Sequence, residues 1–345
     1  MSQSSNWSLP RIAHRLFNQP HAITPGKLET IVWALRDRMS IDIEEPSADA
    51  FAIGGEQPTS YAVREGVAIV PVQGTLVQRG GYLDAESGLV GYDYLVSMVE
   101  AAEADDNVNA VLLDIDSGGG EVAGAMDAAD RINDIAQRIP MAALANEHAC
   151  SAAYLMAAAA GRVWVTQSAA VGSIGVIMAH VDQTQANEQR GLQITELFAG
   201  ATKADGWPHH ELGDEERDRL QAFVNETYSL FVTKVAGMRA MDEQRIRDTE
   251  AGVFLGDARF SEGLADETHT LASAADALRR QSRNSRGGSR RMAKNRRNKV
   301  SAGENLANTL NELIEQQTSD DRTSQDVQED MAEAAGIEPS TVDGI

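Results

Sequence analysis

The sequence predicts an α/β fold, and three observations carry that prediction. Short runs that are apolar at every position alternate with longer runs whose apolar residues recur at helical spacing. The short runs lack the in–out alternation of a half-exposed sheet, so they describe a largely parallel sheet covered by helices on both faces. Glycine-rich turns stand at several strand ends, where α/β proteins place their working groups. The 345 residues are 42% hydrophobic, enough for one large or two ordinary domains with a real core.

Taken in order, Pro25 to Met39 predicts a helix with Ile31, Val32, Leu35 and Met39 on one face, and residues 45–61 read as a linker or surface loop. Residues 1–60 therefore form an N-terminal helical segment and linker. Val67 to Val72 predicts a buried strand that ends in Pro71-Val72-Gln73-Gly74. Tyr92 to Ala104 predicts a helix, Val108 to Ile115 a strand, and Val122 to Ile139 an amphipathic helix behind the turn Asp116-Ser117-Gly118-Gly119-Gly120. Met141 to Ala145 (strand), Ser151 to Ala160 (helix) and Arg162 to Thr166 (strand) follow. Ile174 to Val181 and Gln193 to Phe198 predict two more strands around a helix at Gln183 to Arg190. A long helix from Asp214 to about Met238 and a short strand and helix over Val253 to Leu264 close a body of residues 61–278.

Charge divides the rest. The net charge of −22 excludes a nucleic-acid-binding main body. Arg279 to Lys299 carries ten Lys/Arg and no acid, whereas Val300 to Ile345 carries eleven Asp/Glu against the single Arg322. Residues 279–299 thus read as a basic linker that could contact nucleic acid, and 300–345 as a largely disordered or helical interaction tail. Within that tail, Asp330 to Val342 resembles the turn of a helix-turn-helix. The single Cys150 leaves no intrachain disulfide and no cysteine zinc cluster. There is no apolar leader and no run of eighteen apolar residues, so the expectation is a cytoplasmic, soluble chain without a membrane segment, cofactor or metal.

The chemistry centres on Ala143 to Tyr154, where an apolar run stops and an alanine-rich helix begins at Ser151. A serine there is either a helix N-cap or a nucleophile lying beside the unpaired N–H groups of a first helical turn. A nucleophile needs a base. None of the seven histidines lies in a triad pattern, and His148 is near only in sequence. Lys203, in the loop Gly200 to Gly206, is the better candidate, but it must be neutral to accept a proton, which requires desolvation. Gly118, Gly119 and Gly120 are consecutive, so the turn is no dinucleotide fingerprint. It is a tight turn, a weak anion site, or half of an oxyanion hole completed by the Ala152 N–H. Ser173, in Val171-Gly172-Ser173-Ile174-Gly175-Val176, either orients the amine or satisfies its own backbone. Cys150 reads as a buried small residue rather than a nucleophile.

Five stretches in this order resemble the signal peptide peptidase A (protease IV) family of serine proteases, and within it the lambda-type phage prohead proteases. They are Pro71 to Leu76, Leu113 to Gly120, Ala145 to Ala152, Gly172 to Val176 and Lys203 to Gly206. Leu9 to Ala13 and Phe17 to Pro20 are similar to the phage branch in particular. Lys203 follows Ser151 by 52 residues, the distance expected of single-domain members. The resemblance implies a fold similar to the Clp protease subunit and crotonase, with repeated strand–helix units. It implies a Ser151/Lys203 dyad in which Ser173 holds the lysine, and an oxyanion hole at Gly119 or Gly120 and Ala152. It also implies protein substrates (phage scaffold, portal or capsid proteins, or the chain itself), a homo-oligomer, and action in the host cytoplasm within the procapsid. Gly118 stands where the family usually has proline, and Ala153 where it often has glycine. A catalytically silent scaffold or assembly protein on the same fold is the alternative.

Overall fold

The computed structural model describes residues 19–25, 61–79 and 89–283; the predicted helix beyond its first residue, Pro25, and the charged segments beyond residue 283 lie outside them. The centre is a parallel sheet. Strand β3 (Val67–Gln73), β6 (Ala110–Ser117) and β8 (Met141–Cys150) lie side by side in parallel, as their uninterrupted apolar sequences require. β2 (Ala62–Arg64) folds back antiparallel on β3. β8 is longer than the predicted Met141 to Ala145 because it serves two partners. Ala143 to Ala145 pairs with β9 (Val163–Val165), and His148 to Cys150 with β10 (Ala170–Gly172). β11 (Val253–Phe254) runs antiparallel to β10, and β12 (Glu267–Thr268) parallel to β9. A second sheet of four strands, in the order β1 (His21–Ile23), β7 (Gly119–Glu121), β4 (Thr75–Val77), β5 (Leu89–Gly91), stands beside it.

Helices cover both faces. Along β6, the two-residue period sends Val111, Leu113 and Ile115 into the larger core and Ala110 and Leu112 into a smaller one. The larger core is filled by α1 (Tyr92–Ala104), α2 (Ala125–Ala136), α3 (Ala152–Ala159) and the second half of α5 (Asp214–Arg239). The smaller core is closed by Ala274, Ala275 and Leu278 on a helical stretch that begins at residue 271. Every residue of α3 is buried. Its alanines let neighbouring backbones approach closely, and its one polar ring group, the Tyr154 hydroxyl, donates to Leu264 O at 3.0 Å.

Two predicted strands are absent. Ile174 to Val181 forms only one bridge, Ile177 to His21, because Ser173 turns to φ 51° and takes the chain out of the sheet. Gln193 to Phe198 forms no strand, with Leu192, Ile194, Leu197 and Phe198 exposed. α4 (Thr184–Gln189) and two short helices, α6 (Glu243–Arg247) and α7 (Ala258–Ser261), complete the described elements. β1, β2, β4, β5, β7, β10 and β12 have no counterpart in the sequence reading.

One ion pair ties the C-terminal end of α5 to the sheet. Arg239 Nη2 lies 2.7 Å from Asp266 Oδ1, and Asp266 Oδ2 accepts the Val163 N–H at 2.7 Å. Burial pushes the Asp266 carboxyl up, but the guanidinium and the N–H together hold it below its ordinary value. This contribution is therefore present above the unfolded carboxylate range and is lost as pH falls through the depressed value. Arg239 is only 6% exposed, so Asp266→Ala leaves a buried cation unpaired. The expected cost in urea unfolding is about 2–3 kcal/mol, below that of a fully buried pair because water reaches Asp266.

Candidate active site

Ser151 sits where β8 gives way to α3, at φ 57° and ψ −125°. A non-glycine residue in that region is strained, and such strain persists only where the surroundings enforce it. Here the Ser151 N–H donates to Gly172 O at 2.8 Å and its carbonyl accepts from Leu155 N at 3.1 Å. Ser151 occupies the N-cap position, yet its side chain makes no capping bond. The buried hydroxyl instead donates to Gly175 O at 3.3 Å. The N–H of Ala152, first residue of α3, lies ahead of the helical ladder.

The glycine turn packs directly on this serine. A Cβ on Gly119, which has φ 100°, would fall 2.9 Å from Ser151 Cβ and 2.2 Å from Ala22 O; one on Gly120 would meet Leu76 O at 1.8 Å. Side chains are thus excluded from both positions. The Gly119 N–H donates to Ser117 Oγ at 3.1 Å, and that hydroxyl donates to Gly74 O at 2.6 Å. Ser173 lies on the other side, buried, with its N–H on Gly252 O at 2.7 Å. The structure therefore gathers Ser151, Gly119, Gly120, Ala152 and the Ser173 to Gly175 turn around one point.

Lys203 is not gathered with them. It lies in an exposed turn, its N–H on Gly200 O at 3.0 Å, and among the described residues its amine forms no hydrogen bond or ion pair with Ser151 or Ser173. The other candidates are accounted for. His148 pairs with Asp116 at 3.3 Å, both about half exposed. Burial pushes the Cys150 thiol up to about 11, which leaves it protonated at neutral pH. Among the described residues no group of three or more His, Cys, Asp or Glu is arranged to hold a metal ion, and no helix is long and apolar enough to cross a membrane.

Residues 133–284 match the profile of peptidase family S49. The chain is also 38% identical over 287 residues to capsid assembly protease C of Escherichia phage lambda, covering 79% of this chain and 65% of that protein. It is 38% identical over 286 residues to the head-tail preconnector protein GP5 of Enterobacteria phage P21, covering 79% of this chain and 56% of that one. The chain thus spans rather more than half the length of these relatives. A ClpP1 mutant from Listeria monocytogenes overlaps 60% of this chain and 94% of its own, with TM-score 0.37 and 14% identity, too distant to carry an argument.

The S49 match includes Ser151, Ser173 and Lys203, and also a set of contacts that no sequence motif announced. The Lys203 turn is strung between two pins on the start of α5. Arg219 Nε donates to Asp205 Oδ2 at 2.6 Å. His210 donates from Nδ1 to Glu196 at 2.5 Å and from Nε2 to Glu216 at 3.0 Å. Only an imidazolium has N–H groups at both nitrogens, so the double clasp requires the protonated ring. The Glu196 hydrogen bond raises the pKa of His210 most, burial opposes it, and Glu216 adds to the rise. Its stabilisation is complete below the ordinary histidine value and is lost as pH rises through the raised one. Amide exchange over residues 196–206, corrected for intrinsic rates, is expected to accelerate across that alkaline transition. In His210→Asn it should be fast at both ends.

Proposed function

We propose that the S49 domain is a serine endopeptidase that processes phage procapsid proteins (scaffold, portal or the chain itself), with Ser151 as nucleophile and Lys203 as base. The observation that carries this reading is the Ser151 kink. A strained, buried serine at the head of a helix, with a side-chain-free glycine turn against its Cβ, is an arrangement that capping does not explain, because no cap bond is made. In the proposed reaction Ser151 Oγ attacks the peptide carbonyl as Lys203 takes its proton. A covalent acyl-enzyme forms, the proton passes to the leaving amine, and water then releases the acyl group. Ser173 orients the lysine. The Ala152 N–H and one from Gly119 or Gly120 hold the oxyanion, which for Gly119 requires release from Ser117.

For this dyad to act, Lys203 must leave solvent, since burial favours a neutral amine. The segment that bears it suits burial against another copy. Leu192 (53% exposed), Leu197 (93%) and Phe198 (54%) on the arm, with Phe223 and Leu230 on α5, give it an apolar surface, and α5 is buried only from Thr227 onward. A homo-oligomer in which this surface is covered is part of the proposal. Its relation to capsid assembly draws on the two phage relatives. The exposed amine is also what favours the competing reading, a silent assembly protein.

Mass spectrometry of the purified chain incubated alone separates the two. Processing by the wild type that is absent in Ser151→Ala supports the peptidase; identical products from both contradict it. Lys203→Ala should remain folded and lose about 10²–10⁴-fold in kcat on a peptide substrate, as for loss of a general base. Retained activity would move the role to another group.

A further inference from the structure

The strand that no sequence pattern announced, His21 to Ile23, is wedged between the two walls of the Ser151 site. On one edge it runs antiparallel to β7 in the register His21–Glu121, Ala22–Gly120, Ile23–Gly119. Thr24 N donates to Gly118 O at 3.0 Å and Val122 N to Pro20 O at 3.5 Å. On its other edge His21 exchanges two bonds with Ile177, N to O at 2.7 Å and O from N at 2.9 Å. One wall is therefore the glycine turn that touches Ser151 Cβ, and the other continues from Gly175, whose carbonyl holds Ser151 Oγ. Antiparallel alternation makes Ala22 and Gly120 a hydrogen-bonded pair, so Ala22 meets one of the two glycines assigned to the oxyanion. His21, Ala22 and Ile23 are all at most 4% exposed.

Without this strand, two antiparallel-competent backbone edges would face each other across one strand's width on either side of the nucleophile. That is a receptor for an extended peptide, bound by strand addition. We propose that the slot between β7 and Ile177 is the substrate channel of Ser151, and that residues 20–24 are its resident occupant, a strap that an incoming peptide must displace. The proposal rests on Ser151 being the nucleophile. It makes the described conformation a self-occluded one, in which the position of the scissile peptide is held by the chain's own backbone.

The test uses the full chain and two probes, a small alkyl fluorophosphonate and a tripeptidyl diphenyl phosphonate that needs the slot. Ala22→Pro removes a ladder N–H, and Ile23→Asp places a charge on a buried face of the strap. In both variants the ratio of peptidyl to small-probe labelling rates at Ser151 should rise about tenfold, as expected for loss of one or two net backbone hydrogen bonds. In the wild type, saturation with the peptidyl probe should expose the His21 and Thr24 amides to exchange. If both probes label at an unchanged ratio while His21 and Thr24 stay protected, the strap is a permanent structural strand and the proposal falls alone. If no protein is labelled by the small fluorophosphonate, the nucleophile reading falls and the proposal with it.

Discussion

The left-handed kink at Ser151 is the constraint around which the domain is arranged. β8 must end, reverse its backbone and start α3 within one residue, and the strain of doing so at a non-glycine position is of order 1–3 kcal/mol. It is held from both sides. Upstream, β8 is clamped by β6 along its length and by β9 and then β10 on its other edge. Downstream, α3 is buried along its whole length, and Tyr154 fixes it to the Leu264 carbonyl. The Gly172 carbonyl takes the Ser151 N–H, and the Gly119 turn closes over its Cβ. A helix of alanines serves here because larger side chains would force these neighbours apart.

How much of this the sequence disclosed follows from where the energy lies. β3, β6 and β8 are legible because a strand buried on both faces needs an unbroken apolar run, and Ser151 is legible because that run stops there. α5 is legible for similar local reasons, whereas Gly119 and Gly120 after β6 read as part of a turn and instead open strand β7. Ile174 to Val181 and Gln193 to Phe198 carry strand composition, but the first meets a sheet edge only at the Ile177–His21 bridge and the second pairs with no strand among the described residues, so composition misleads. β1 is illegible for the opposite reason. Three residues carry no periodicity, and their conformation is set by β7 and Ile177, about a hundred or more residues away in sequence. At the site, the residues lining Ser151 were readable from their turns, whereas the clasp of Glu196, His210 and Glu216 was not, since it depends on a fold-back of the chain that no spacing encodes.

Two features of the described conformation point the same way. Residues 20–24 fill the slot proposed to receive a peptide, and Lys203 stands in solvent on an arm pinned by His210 and Arg219. The buried walls of the site are formed, while the proposed base is supplied by an exposed segment and the proposed occupant by a short strand held through backbone bonds to β7 and Ile177. Such segments move most cheaply in a folded protein. On the proposed reading, this separation between a rigid nucleophile and movable accessories would keep the peptidase quiet until its substrates surround it.

If the kinked, buried Ser151 is a nucleophile, it forms a covalent acyl-enzyme during turnover. The direct measurement is intact and peptide mass spectrometry of the full chain, acid-quenched during turnover of an activated peptide ester. An acyl adduct localised to Ser151 and absent from Ser151→Ala is the expected result. Turnover without an adduct, or an adduct on Cys150, would contradict it.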